Sequence, residues 1–524
     1  MIPEEKLKRI ALIALLTLMI FVLVRTAWVS DDAYITLRTI SNFARGQGLT
    51  WNVGERVQSY THPLWMATLG AAIFFSNEFH LTTMFTGIFI SIAAFYLVCF
   101  QVPRTRAVAV LTGTILILSK AYIDFSTSGL ENALSHLLLI VFFIYLLRYD
   151  ETPRSLFILG LIASLSFLNR PDNVLLFYPA VIAALFRTRS RRHLTLLIVS
   201  QLPILIWELF SLFYYGLPIP NTALAKLNVG IPAAELLSQG FLYMLDSLER
   251  DPLTLAATMI GLFSVILNRS WKHLALAAGI ILHLMYVVRI GGDFMSGRFL
   301  TLPLLGAVLL LSNSNLKRIQ VAFLLGLVIL LGVSKSPTTI SSGVEYGQSD
   351  AQSQEFSHGI LDERKAYYQT TGLMRFNRYE DLPRHYWVYE GINAKLRYEK
   401  VVVRGGIGLF GFYAGPDIYV VDVDSLANPL LAHLPIDASS SWRPGHFRRM
   451  IPDGYIESLE EGINIIKDPH LAEYYDHIEL ITRGHLFDPN RIKTIWMLNT
   501  GAYNELLDFY LESQRSTHPS SYRS

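Results

Sequence analysis

Two adjacent acids, Asp31 and Asp32, follow closely on the first long apolar run, in Ser30-Asp31-Asp32-Ala33-Tyr34-Ile35. Taking carboxylates out of water costs several kcal/mol unless they are paired or hydrated, so an acid pair beside a membrane-type segment calls for an explanation. Two carboxylates sharing a pocket cannot both ionise cheaply, and the one with the raised pKa is suited to take a proton from a hydroxyl near neutral pH. The plainer reading is an interfacial pair that caps a helix and orients the chain. Cations are the second ingredient: Arg56, Arg170, Lys226, Arg289 and Arg298 are candidate phosphate binders. A guanidinium grips phosphate oxygens as a bidentate fork and a lysine supplies a point charge. Of these and Arg38, about half are expected to serve instead as structural bridges to Glu131, Asp172 or Asp293, or to touch lipid headgroups. Tyr34, Arg38, Glu55, His62, Glu131, Asn221 and Asp293 complete the set as candidate substrate contacts.

The elements that must carry these residues follow from composition. The chain has 524 residues, 52% hydrophobic and only 16% charged, where a soluble domain averages roughly 25% charged. The depletion is uneven: apolar runs crowd residues 8 to 334, and 335 to 524 has ordinary globular polarity. A polytopic α-helical membrane domain over 1–334, a Ser/Thr/Gly/Gln-rich linker over 335–355 and a soluble α/β domain over 356–524 is the economical division. The net charge of +2 and the lack of a basic block exclude a nucleic-acid partner. The single cysteine, Cys99, excludes a disulfide within the chain.

Spanning candidates are 8–28, 80–101, 105–121, 130–148, 154–168, 173–187, 194–214, 252–268, 272–290, 298–313 and 317–334, about eleven in all. The first is read as an uncleaved helix, because no small-residue cleavage site follows it. The densest basic loop, Arg187, Arg189, Arg191 and Arg192, belongs in the cytoplasm. Counting outward from it puts Arg104-Arg106, Arg148-Arg154, Arg269-Lys272 and Lys317-Arg318 on the same side. The basic N-terminus joins them only if the short apolar stretch 63–75 does not cross, so that stretch is read as a juxtamembrane or re-entrant part of a long outer loop, 29–79. All the candidate site residues then collect on the outer face, and so does the C-terminal domain.

Gly46, Gly48 and Gly54 let that outer loop wrap closely around a polar ligand. A glycine fingerprint, Gly406-Ile407-Gly408-Leu409-Phe410-Gly411, follows the strand-like 400–403, but Gly415-Pro416 and a second strand-like run at 418–421 argue against the helix that a dinucleotide site requires. Trp442 to Arg449 is aromatic and basic, suited to a glycan, to lipid headgroups or to packing against the membrane domain. No metal motif of fixed spacing occurs, although outer-face acids could hold a divalent cation with a phosphate.

Taken together, Asp31-Asp32-Ala33-Tyr34-Ile35, Gly54-Glu55-Arg56-Val57 through Pro63-Leu64-Trp65, Ser128-Gly129-Leu130-Glu131 and Arg170-Pro171-Asp172 resemble a family of bacterial GT-C membrane glycosyltransferases typified by the mycobacterial terminal arabinofuranosyltransferases. Tyr215-Gly216, Pro220-Asn221-Thr222, Gly291-Gly292-Asp293-Phe294-Met295 and Arg298-Phe299 extend the likeness, as do 411–422 and 442–449. The resemblance implies a GT-C fold, a polyprenyl-phosphate sugar donor, a glycan or glycolipid acceptor, and inverting transfer on the outer face of the cytoplasmic membrane. It also implies that Asp31 or Asp32 is the base. Two other readings stay open: a flippase for the same lipid-linked sugar, disfavoured by the one-sided motifs and the lack of an internal repeat, and a non-catalytic scaffold for envelope or motor assembly.

Overall fold

The computed structural model describes residues 4–188, 190–227, 229–347, 356–377 and 381–517. Arg189 of the basic loop and residues 348–355 of the expected linker lie outside the described residues. Helices occupy all eleven apolar stretches. Three segments, Arg9–Thr26, His80–Phe100 and Trp271–Arg289, are long and apolar enough to cross a bilayer alone. Two bent pairs, Arg191–Ser200 with Leu202–Tyr214 (44°) and Ala233–Arg250 with Pro252–Leu267 (107°), raise the number to five if each is one span. Three to five of these helices are full-length spans by length and composition, and six further apolar helices among the described residues, from Pro63–Ser76 to Arg318–Gly332, have 10–17 residues. One cause of the shorter lengths is local capping: Ser119 accepts a bond from the Tyr122 amide and starts a new helix, Lys120–Asp124, so the run 105–121 is cut after Leu118. The stretch 63–75 forms the helix Pro63–Ser76. Its 14 residues rise about 21 Å, short of the hydrocarbon core.

The chain groups into two compact units that interleave along the sequence. The first comprises Met1–Ser30, His62–Ile204 and Ala233–Pro383, and the second Asp31–Thr61, Leu205–Pro232 and Arg384–Ser524. This differs from a linear division at 334, and buried charge explains part of the difference. In the first unit Arg364 pairs with Asp124, Lys120 with Asp124 and with Asp362 at 3.0 Å, and the Tyr346 hydroxyl donates to Asp362 at 2.7 Å. Paired buried ions are costly to separate, so Tyr346, Asp362 and Arg364 are held to that unit. The first unit's core is a continuous apolar body in which helices touch backbone to backbone. A Cβ on Gly261 would lie 2.2 Å from the Ala307 carbonyl oxygen, so the close approach of helices Pro252–Ser264 and Thr301–Ser312 requires glycine there.

The second unit holds the only strands among the described residues, β1 (Val401–Arg404) and β2 (Tyr419–Asp422), paired in parallel with Val401 opposite Tyr419. Parallel strands need a crossover, and the helix Gly408–Ala414 provides it. This corrects the sequence reading, which took Gly415-Pro416 to exclude a helix. Gly415 adopts φ 83° and ends the helix without preventing it. Helices Tyr386–Leu396 and Tyr455–Glu461 belong to the same unit. The unit's remaining core is helical, built on Tyr455, Leu471, Tyr474, Tyr475 and Ile478 around Val421.

Candidate active site

The acid pair opens the helix Asp31–Ala44, where carboxylates meet the positive end of the helix dipole. Asp31 is 6% exposed. Its Oδ1 accepts the Leu409 amide at 2.6 Å and its Oδ2 the Gly408 amide at 3.2 Å. These N–H groups begin the crossover helix, so the anion place that a nucleotide phosphate would take is filled by the protein's own carboxylate. A Cβ on Gly408 would stand 1.9 Å from the Asp31 carbonyl oxygen, so no larger residue fits. Burial pushes the Asp31 carboxyl up to about 7 and the Asp32 charge adds to this, against the pull of the two amides and of Arg404. Asp32 is half-buried.

Around the pair stand residues that sequence reasoning did not single out. Arg404, closing β1, donates to Glu390 at 2.6 Å. Tyr386 is close enough to sense the Asp31 charge. A Cβ on Gly406 would lie 2.8 Å from the Trp387 ring. Beyond the same loop, Asp424 Oδ2 would lie 3.5 Å from a Cβ on Gly405. Asp422, which closes β2, accepts the amides of Asp424 at 3.0 Å and Ala427 at 3.2 Å. Burial and the Asp424 charge push the Asp422 carboxyl up. Burial also raises Asp424, against the charges of Arg443, Arg448, Arg449 and Lys226. Lys226 therefore belongs to a group of four cations at the carboxyl ends of β1 and β2, the edge where ligands of parallel sheets gather. The aromatic and basic run 442–449 was the sequence signal for this group; nothing in spacing linked it to Lys226.

The other second-unit candidates make their contacts within the protein. Tyr34 packs on the rings of Phe412 (5.4 Å) and Tyr413 (6.2 Å). Arg38, 2% exposed, donates to the carbonyls of Trp51, Gly411 and Ile418 and stacks on the Trp51 ring. Glu55 accepts from Tyr419 at 2.8 Å and pairs with Arg483 at 3.4 Å. Arg56 donates to the carbonyls of Ile481 and Gly484. Asn221 Nδ2 donates to the carbonyls of Ser425 (2.9 Å), Leu426 (3.1 Å) and Asn428 (3.2 Å).

A separate constellation lies in the first unit and unites four motifs far apart in sequence. Glu131, 1% exposed, pairs with Arg170 at 2.7 Å and Arg298 at 3.0 Å, with His62 at 3.5 Å. Arg170 also holds Asp172 at 2.6 Å, and Arg298 faces Asp293 at 3.6 Å. Burial pushes the His62 imidazole down to about 4, so it is neutral at pH 7. The structural-bridge reading thus describes Arg170 and Arg298. Arg289 ends the helix Trp271–Arg289 and is exposed. Among the described residues, no group of three or more His, Cys, Asp or Glu side chains could hold a metal ion.

Residues 10–232 match the Alg9-like mannosyltransferase family. Over 520 residues the chain is 25% identical to a terminal beta-(1->2)-arabinofuranosyltransferase of Mycobacterium tuberculosis, with 82% of each chain covered. A protein of the same name from Corynebacterium glutamicum is 26% identical over 406 residues, covering 68% of this chain and 57% of its own. The family match takes in the acid-pair helix, Glu131 and Arg170, and the chain is similar to these glycosyltransferases.

Proposed function

We propose that the chain is an inverting glycosyltransferase that moves a sugar from a polyprenyl-phosphate donor to a hydroxyl of a cell-envelope glycan or glycolipid, at the outer face of the bacterial cytoplasmic membrane. One carboxylate of the Asp31–Asp32 pair takes the acceptor hydroxyl's proton. The oxygen then bonds to the anomeric carbon from the face opposite the phosphate, the carbon–oxygen bond to phosphate breaks, and prenyl phosphate departs with the electron pair. The observation that carries the reading is Asp31, a buried carboxyl raised to about 7 beside a second acid, which is where a general base works best near neutral pH.

Lys226, Arg443 and Arg448 supply positive charge for the departing phosphate, the group on which charge develops. Arg289, exposed at the end of its helix, is a separate candidate for phosphate, while Arg56, Arg170 and Arg298 hold carbonyls or carboxylates of the protein. Tyr386 and Trp387, half-buried, offer the sugar amphipathic walls. Arabinofuranose, the sugar in the relatives' name, is the sugar we propose. The test is transfer from synthetic prenyl-phosphate arabinofuranose by the full-length protein in liposomes, comparing the parent with Asp31→Asn and Asp32→Asn. Full activity in both variants overturns the proposal. The same assay with EDTA tests the divalent cation that the outer-face acids suggest.

A further inference from the structure

The second unit contains an apolar helical stretch, 205–214, the C-terminal part of a bent helix pair, Arg191–Ser200 with Leu202–Tyr214, that is a candidate membrane span. Its Leu205, Ile206, Leu209 and Phe213 are exposed, a spacing that puts one apolar stripe toward lipid. A second helix, Pro489–Asn499, is fixed at the end of that stripe. Arg491 donates to the Tyr214 carbonyl at 2.9 Å, Asn499 donates to the Gly216 carbonyl at 2.8 Å, and Phe487 contacts Phe213 with ring centroids 5.4 Å apart. A Cβ on Gly216 would lie 2.2 Å from Ile481, so the packing behind this corner has no slack.

This second helix turns large apolar groups outward. Trp496 is 72% exposed, Phe487 70% and Ile492 48%, with Ile492 and Trp496 one turn apart on the same face. Arg491, Thr494 and Ile495 are buried on the opposite face. A surface helix in water normally shows the reverse pattern. Here the outward apolar face continues the lipid-facing stripe, and Lys493 lies exposed between Ile492 and Trp496. Tryptophan with a neighbouring cation is the composition of a helix at the level of lipid headgroups.

We infer that residues 487–496 form an interfacial anchor, with Phe487, Ile492 and Trp496 seated in the outer leaflet at the headgroup boundary. The partner is the lipid surface, because Phe487 adjoins the exposed apolar stripe of a candidate membrane span at Phe213. The anchor also explains why a segment of ordinary globular polarity carries an exposed aromatic face.

The test uses the full-length protein in nanodiscs of phosphatidylcholine and phosphatidylglycerol, in a Cys99→Ala background, with a polarity-sensitive fluorophore attached at Trp496→Cys or, separately, at Ile492→Cys. Both sites are exposed, so one labelled variant suffices if the other folds poorly. On exchange into nanodiscs with a nitroxide near the lipid headgroup, the label is expected to lose roughly half its emission and to resist aqueous iodide. A label quenched by iodide and untouched by the lipid nitroxide overturns the inference, and would mean that this face meets water or a protein partner instead.

Discussion

The two carboxylate centres of this protein are furnished in opposite ways. Glu131 in the first unit is buried between Arg170 and Arg298, so its charge is matched where it stands. Asp31 in the second unit is buried as well, but its direct partners are two amides and its nearest charged neighbour is another acid. A matched carboxylate is a poor proton acceptor because its cations already stabilise the ionised form. An under-compensated one holds a proton into the neutral range and can exchange it there. The contrast separates an acid that holds the fold from a pair suited to chemistry, although both lie in motifs of equal standing in the sequence.

The sharpest way to break this contrast is to neutralise each centre in turn. Asp32→Asn is expected to lower transfer by roughly 10²–10⁴-fold, the range of a lost general base or of its charged partner, with little change in melting temperature because Asp32 is half-buried. Asp31→Asn is expected to cost a similar factor and some stability, since Asp31 also receives the amides that start the crossover helix. Glu131→Gln should do the reverse. It leaves two guanidiniums facing an uncharged group, costing about 3–5 kcal/mol, which appears as a lower melting temperature and a smaller yield of folded protein. A Glu131→Gln protein with parental stability and no activity would erase the distinction.

Gly408→Ala probes the acid pair without touching a titratable group. The added Cβ must move either the Asp31 backbone or the crossover helix, because it would otherwise stand 1.9 Å from the Asp31 carbonyl oxygen. Displacing a reacting group by an ångström costs on the order of 10² in rate. We expect that loss in kcat, with the Glu131 centre and membrane extraction unchanged. An unaltered kcat would mean that the pair's geometry does not govern transfer.

The sequence disclosed these two regions unequally. The acid pair was legible because adjacent carboxylates beside an apolar run are costly and therefore conspicuous, and Glu131, Arg170 and Arg298 could be named as possible bridges from their charges alone. Every apolar stretch did become a helix, since composition over such windows decides between helix and coil in a membrane setting. What stayed hidden depends on long-range contact. Arg38 looks like a binding cation in sequence, yet its donors go to carbonyls at 51, 411 and 418, two of them more than 370 residues away. The fingerprint 406–411 was dismissed because Gly415-Pro416 reads as a turn; local signals cannot show that a seven-residue crossover helix ends there first. Lys226 and Arg448 share one charged neighbour, Asp424, and no local rule pairs residues at that separation.

Acidity offers a finer test of the same contrast. In the unfolded chain the Asp31 carboxyl releases its proton near 3.8, and in the fold near 7. Folding therefore takes up a proton between those values. The stability that Asp31 contributes is complete below about pH 4 and is lost as pH rises through about 7. Activity runs the other way, because the base must be ionised: kcat/KM should fall about tenfold per pH unit below 7. Asp31→Asn is expected to flatten the stability profile between pH 4 and 7 and to displace the acid limb of the rate profile. If both profiles match the parent's, Asp31 does not titrate in this range.

The smallest effect concerns the cations at the carboxyl ends of β1 and β2. Lys226 is exposed and acts through charge, so Lys226→Gln should raise the KM for donor only a few-fold and leave kcat nearly unchanged, the scale of a solvent-screened pair. Added salt should weaken donor binding in the parent and have less effect in the variant, because part of the screened attraction is already gone. Adding Arg448→Gln should deepen the loss if both cations face the same phosphate. An equal KM in parent and double variant, at low salt, would move the phosphate away from this edge and return Arg170 and Arg298 to consideration. The Glu131 centre would then have to open during turnover, and the contrast between a structural and a chemical carboxylate would hold only for the resting protein.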